Sequence, residues 1–168
     1  GAHSVYIQGN VGDQLVKAGK FDLINRAMDF IRDNGLPAGI AGHMLYVPQE
    51  CEKQGVHADY YVKTLHAQDY FSAKRPDQDA EVIRNRQDNF WCHNPDEVIA
   101  FMGKVEKPWV AYKVLAAGAI SPSEGFDYAF NNGADFVLVG MFDFQIHQDC
   151  RVARDVLRAV KRKRPWRS

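Results

Sequence analysis

Lys63 and Lys113, the histidines His43 and His66, and Asp143 are the side chains whose types and positions suit chemistry. Each stands at or beside the end of a short apolar run. Two lysines on neighbouring strands suit carbonyl chemistry, because a nearby cation and loss of water both lower an amine's pKa and leave a nucleophile near neutral pH. In that scheme His43 or His66 moves the protons. A second scheme uses a metal: His43, His66 and Asp143 offer the imidazole and carboxylate donors that zinc or another divalent ion accepts, for assisted hydrolysis. A third is non-catalytic, with Gln8, Asn10 and the backbone at Gly118 and Gly140 contacting a sugar or an anion. Each group also has a structural alternative. Lys113 would then neutralise a buried acid such as Asp143 or Asp135, the histidines would be hydrogen-bonders, and the glycines would relieve crowding at strand ends. Cys92 and His93 do not suit a nucleophile–base pair, since adjacent residues of an extended segment point apart. Tyr70 and Trp91 could stack on a sugar ring or cover the site, and His57 and His147 read as surface residues.

Composition sets the bounds. The 168 residues are 46% apolar and 25% charged, ordinary values for a globular chain, and the length predicts one domain over 1–168. Twenty-one basic residues balance 21 acidic ones, yet eight basic residues face one acid from Arg151 onward, a net +7, while the preceding 150 carry 13 basic and 20 acidic, a net −7. The run from Lys161 to Arg164 reads as the solvated end of the last helix. Without interleaved aromatics or an upstream basic face it does not predict a nucleic-acid partner. No apolar run approaches the roughly 18 residues of a membrane span, so no membrane is expected either. Cys51, Cys92 and Cys150 are odd in number and far apart, which excludes a disulfide framework and any C-x-x-C zinc site.

The elements that must position these groups alternate. Strands are predicted over 4–9, 37–42, 59–66, 109–116 and 134–140. Helices are predicted over 22–34, with Asp22 as cap and Gly35 as stop, from Pro48 to Gly55, from Asn94 onward, from Ser121 onward, and over 149–161. Asn94-Pro-Asp-Glu97 and Ser121-Pro-Ser-Glu124 share one grammar: N-cap, proline at N1, and a glutamate at N3. Residues 67–90 are polar and long for a plain loop, which suggests a lid or insertion, with one surface helix over 79–86. A helix, a glycine and a short apolar strand follow one another three times, at Gly35, Gly55 and Gly133. That serial unit predicts a parallel sheet with right-handed crossovers.

The last two units favour a barrel over an open doubly wound sheet. Ala116-Ala-Gly-Ala-Ile120 ahead of a helix start, then a second glycine at Gly140, resemble the end of many (β/α)8 barrels, where small residues approach a phosphate or sugar. Five strands are too few to close one. The predicted fold class is therefore α/β, with parallel β/α units forming the C-terminal portion of a (β/α)8 TIM barrel and about three N-terminal units absent. Such a piece is expected to pair with another copy or with its missing N-terminal part.

The segments Tyr6-Ile-Gln-Gly-Asn-Val-Gly-Asp-Gln14, Trp109-Val-Ala-Tyr-Lys-Val-Leu-Ala-Ala-Gly118 and Gly133-Ala-Asp-Phe-Val-Leu-Val-Gly-Met-Phe-Asp-Phe-Gln145 resemble an uncharacterised family of bacterial barrel proteins, many with a twin-arginine export signal. The resemblance implies the barrel and a possible exported, periplasmic location, with the cytoplasm as the alternative; it implies no reaction. Val62-Lys-Thr64 and Tyr112-Lys-Val114 resemble the two lysine strands of deoxyribose-phosphate aldolase, which implies a Schiff base. His43, His66 and Asp143 resemble part of the amidohydrolase pattern, which implies a metal. The expected function is carbonyl chemistry of the lyase or isomerase kind, without cofactor, on a small carbohydrate-like or phosphorylated substrate. Metal-dependent hydrolysis and sugar or anion binding are the alternatives.

Overall fold

A computed structural model describes residues 1–73, 92, 94–161, 164 and 166. Its sheet has five strands, β1 (Val5–Ile7), β2 (Ala38–Gly42), β3 (Tyr60–Thr64), β4 (Trp109–Tyr112) and β5 (Phe136–Leu138). They lie side by side in chain order, every neighbouring pair parallel. Helices connect them: α1 (Gly9–Lys17) and α2 (Phe21–Asp33) after β1, α3 (Tyr46–Lys53) after β2, α4 (Pro95–Met102) before β4, α5 (Pro122–Asn131) before β5, and α6 (Ile146–Ala159) at the end. The fold is α/β, as the alternating pattern predicts. The helix expected over 79–86 lies outside the described residues.

The period-two rule sorts the strand residues onto two faces. Ala38, Ile40, Tyr61, Trp109 and Ala111 share one core with Ile24 and Met28 of α2, Val47 of α3, Val98 and Met102 of α4, and Phe126 of α5; Val152 and Val156 of α6 pack against it. Ala41, Val62 and Tyr112, with Tyr60 and Val110, form a second, smaller cluster on the other face, made of strand residues alone. The helices among the described residues therefore cover one face of the sheet. Tyr6, Phe136 and Leu138, at the margins of the other, are exposed.

Local sequence explains most element ends. Gly35, Gly55 and Gly133 take positive φ just after α2, α3 and α5, where a Cβ would be strained. Ser121 caps α5: its Oγ accepts from the Glu124 N–H at 3.3 Å and donates to Glu124 Oε2 at 2.7 Å. Asn94 stands at the N-cap of α4, but its amide donates to Glu97 rather than capping the backbone.

Three expectations are corrected. α1 was not anticipated; two glycines lower its helix propensity, and packing overrides that. A Cβ on Gly12 would lie 2.0 Å from the Ala41 carbonyl oxygen, so glycine is what lets α1 lie against β2. β4 ends at Tyr112, not at residue 116, because Lys113 turns to φ 62°. The basic tail is not simply a solvated helix end. α6 stops at Ala159, and Arg164 folds back under the sheet, where its guanidinium donates to Asp135 (3.0 and 3.1 Å), the Met102 carbonyl (2.6 Å) and the Lys107 carbonyl (2.8 Å).

Candidate functional site

Parallel strands end together, so the residues that follow β1 to β4 gather at one rim. His43 follows β2 and is buried. Asp13, wholly buried on α1, holds it. One carboxylate oxygen lies 2.7 Å from His43 Nδ1, and the carboxylate also accepts the backbone N–H groups of His43 and Met44. Tyr46 donates to the Asp13 carbonyl at 3.1 Å. With Nδ1–H given to Asp13, the imidazole lone pair sits on Nε2.

Tyr112 ends β4, and its ring lies 5.2 Å from that of His43. A Cβ on Gly9, the first residue of α1, would stand 2.5 Å from the Tyr112 hydroxyl and 2.6 Å from His43 Cε1, so only glycine allows α1 to begin here. Thr64, fully buried, pairs with Tyr112 in the ladder between β3 and β4. Three polar atoms at this rim are buried without a hydrogen bond among the described residues: Asn10 Oδ1, Thr64 Oγ1 and the Tyr112 hydroxyl. Burial pushes the Tyr112 phenol well above its ordinary range. Thr64 lies close enough to offset part of that rise, although the two hydroxyls do not reach ordinary hydrogen-bond geometry. Buried polar atoms without partners are uncommon and mark places where a ligand or water belongs.

Lys63 sits beneath this cluster, on the helix-covered face. It is 1% exposed, and Nζ donates to the His43 carbonyl at 2.7 Å and the Thr64 carbonyl at 3.0 Å. Burial lowers its pKa, with Cys92 and Asp13 pulling the other way. An amine enclosed and committed in this way props the loop that carries His43. It is not placed to attack a substrate.

A regular strand over 109–116 would aim Lys113 to the same face as Ala111 and Leu115, but the chain turns before it can. Ala111 belongs to the helix-side core, and the helix-free face of β4 carries Val110 and Tyr112. Lys113 lies past the strand end, half-buried, and close enough to His43 to oppose its protonation. Asp135, offered as its counter-ion, pairs with Arg164 at the opposite end of the sheet.

The remaining predicted residues serve other ends. His66 is buried, with Nδ1 2.8 Å from the Ala67 carbonyl and Nε2 accepting the Cys92 N–H at 2.9 Å, so it ties residue 92 to the end of β3. Tyr70 packs edge-on against it. Asp143 is exposed beyond β5. The zinc arrangement of His43, His66 and Asp143 is not assembled: among the described residues no three His, Cys, Asp or Glu side chains converge to hold a metal. Gln8 caps α1, its Oε1 accepting the Val11 N–H. Gly118 is exposed with φ 91°, and Gly140 is exposed in open surroundings. Trp91 and His93 lie outside the described residues. A cavity of about 560 Å³ lies at the other end of the sheet, but Arg32 pairs with Asp59 there and Lys107 with Glu52.

No protein family, curated protein or solved structure matches the chain. No helix among the described residues is long and apolar enough to cross a membrane. The site is therefore read from its own geometry.

Burial lowers the His43 pKa below its ordinary 6.5, against the pull of Asp13 and helped by Lys113 and Lys63. The folded state then favours neutral imidazole. Its contribution to stability is present above pH 6.5, where the unfolded chain is neutral too, and is lost as the pH falls toward the folded-state value. Thermal melts between pH 7.5 and 5 are expected to show that loss, at up to about 1.4 kcal/mol per pH unit for one proton. His43→Gln should flatten the slope. Identical slopes would mean that His43 does not titrate as its surroundings require.

Proposed function

We propose that the chain is an acid–base enzyme of barrel type, a lyase or isomerase acting on a small polar carbonyl compound, carbohydrate-like or phosphorylated. The observation that carries this reading is the buried His43–Asp13 pair set beside three buried polar atoms that have no partner among the described residues, at the C-terminal rim of a parallel sheet. Asp13 fixes the imidazole, and the lowered pKa keeps it unprotonated at neutral pH, the state a general base needs. His43 Nε2 takes a proton from the carbon next to the substrate carbonyl, and the electron pair left behind moves onto the carbonyl oxygen. Lys113, close by, favours that negative charge. Return of a proton to the same carbon completes an exchange or epimerisation; delivery to the former carbonyl carbon, with the proton of the neighbouring hydroxyl passing to the first carbonyl oxygen, moves the carbonyl and completes an isomerisation.

Strand order and one-sided helix packing support the reading of a portion of an eight-stranded barrel, in which catalytic groups sit at this end of the strands. The likeness to the bacterial barrel family supports it too. A Schiff base at Lys63 is disfavoured by the enclosure of its amine.

The test is deuterium exchange. Incubated in D2O with a panel of hydroxy-aldehydes, hydroxy-ketones and their phosphates, the protein should exchange the proton next to the carbonyl of at least one. His43→Gln should reduce that rate by roughly 10²–10⁴-fold. Failure of every compound to exchange would leave a binding protein instead.

A further inference from the structure

The geometry points to an oxyanion subsite at the N-terminus of α1, completed by the Tyr112 and Thr64 hydroxyls, that takes the phosphate or carboxylate end of a small hydroxylated ligand. The proposal rests on reading the rim cluster as a ligand site. It holds whether or not His43 acts as a base.

Four donors lie at this rim. The first N–H groups of a helix have no partner within it, and the helix dipole adds partial positive charge. In α1 the Val11 N–H is taken by Gln8 Oε1 and the Gly12 N–H by the Gln8 carbonyl, while those of Gly9 and Asn10 are bonded to nothing among the described residues. The second observation is independent of the helix. Tyr112 is 9% exposed, and its unpartnered hydroxyl lies against Gly9, the residue that opens α1. Thr64, its ladder partner, adds a second buried hydroxyl close to that of Tyr112 and outside ordinary hydrogen-bond geometry with any of the described residues. Hydroxyl and amide donors on one spot are the usual means of holding phosphate or carboxylate oxygens.

The charges agree. Lys113 and Lys63 both act on this rim, and Asp13, the acid that faces it among the described residues, is already engaged by two backbone N–H groups and the imidazole. Asn10 Oδ1, an amide oxygen that can only accept and has no donor among the described residues, suits a ligand hydroxyl. The two hydroxyl oxygens are shielded from solvent, so an entering anion must part the side chains around them and then meets donors with little competing water.

Titration of the 15N-labelled chain with inorganic phosphate, and separately with acetate, tests the subsite at the Gly9 and Asn10 amides. Saturable shifts at both amides are expected with at least one anion. Phosphate alone marks a phosphate-ended ligand and acetate alone a carboxylate. Tyr112→Phe should weaken the binding roughly tenfold to a hundredfold, the effect of one hydrogen bond to a charged group. Should that variant lose its dispersed spectrum, Thr64→Val serves the same purpose. Shifts that never saturate, that scatter over surface lysines, or that survive both substitutions unweakened would overturn the subsite. Lost deuterium exchange with anion binding intact would sink the base instead and leave the subsite standing.

Discussion

Arg164→Ala is expected to lower the free energy of unfolding by about 3–5 kcal/mol, the usual cost of breaking a buried ion pair by removing one partner. The Arg164 and Asp135 side chains are 9% and 0% exposed. Asp135 also accepts the Trp109 N–H at 2.8 Å, so the carboxylate ties the starts of β4 and β5 together and the guanidinium completes it. Truncation takes the guanidinium from a buried carboxylate and from the Lys107 carbonyl, while the Met102 carbonyl keeps the Val105 N–H. A domain of this size has about 5–15 kcal/mol in all, so the loss should be plain in urea unfolding. Asp135→Asn on the same background should recover part of it by removing the stranded charge. A change below about 1 kcal/mol in Arg164→Ala would mean that the tail contact is not formed in solution.

Asp13→Ala should cost about 3–5 kcal/mol as well, for a different reason. It strands the buried His43 N–H, the half-buried Met44 N–H and one imidazole N–H, the buried ones worth about 1–3 kcal/mol each, while removing one buried charge. A merely structural aspartate would move stability alone. Here the tautomer of His43 should change too, because the acceptor that keeps the proton on Nδ1 is gone. The 15N shifts of the imidazole at pH 7.5 report that directly. Wild-type protein should show protonated Nδ1, and Asp13→Ala a mixture of the two tautomers. An unchanged His43 spectrum in the variant would show that Asp13 does not orient the ring.

Strand order and the positions of His43, Lys63 and Lys113 near strand ends were legible because they depend on chain order and on apolar runs. His43 stands where the grammar of helix, glycine and strand puts it. Its partner was not legible. Asp13 lies in Gly9-Asn-Val-Gly-Asp13, whose two glycines argue against a helix, and only the contact of Gly12 with the Ala41 carbonyl shows why a helix forms there. Tyr112 was passed over for Lys113, its neighbour. A regular strand through residue 116 would aim the lysine along with Ala111, and the left-handed turn at Lys113 is invisible to alternation. The same turn leaves Lys113 half-buried past the strand end, while Lys63, inside β3, is enclosed. The fate of Arg164 depends on a return across the sheet to Asp135, a long-range contact that local charge patterning does not report.

The order of the strands bears on the protein as it is made. Each strand lies beside the one synthesised just before it, so pairing from β1 to β5 can follow the chain out of the ribosome without waiting for distant partners. The base of the last two strands is the exception. The Asp135 carboxylate acquires its guanidinium only when residue 164 emerges, 29 positions later. Until then that carboxylate lacks the guanidinium that completes it, so the contact binding the starts of β4 and β5 to residue 164 forms after the strands themselves have paired.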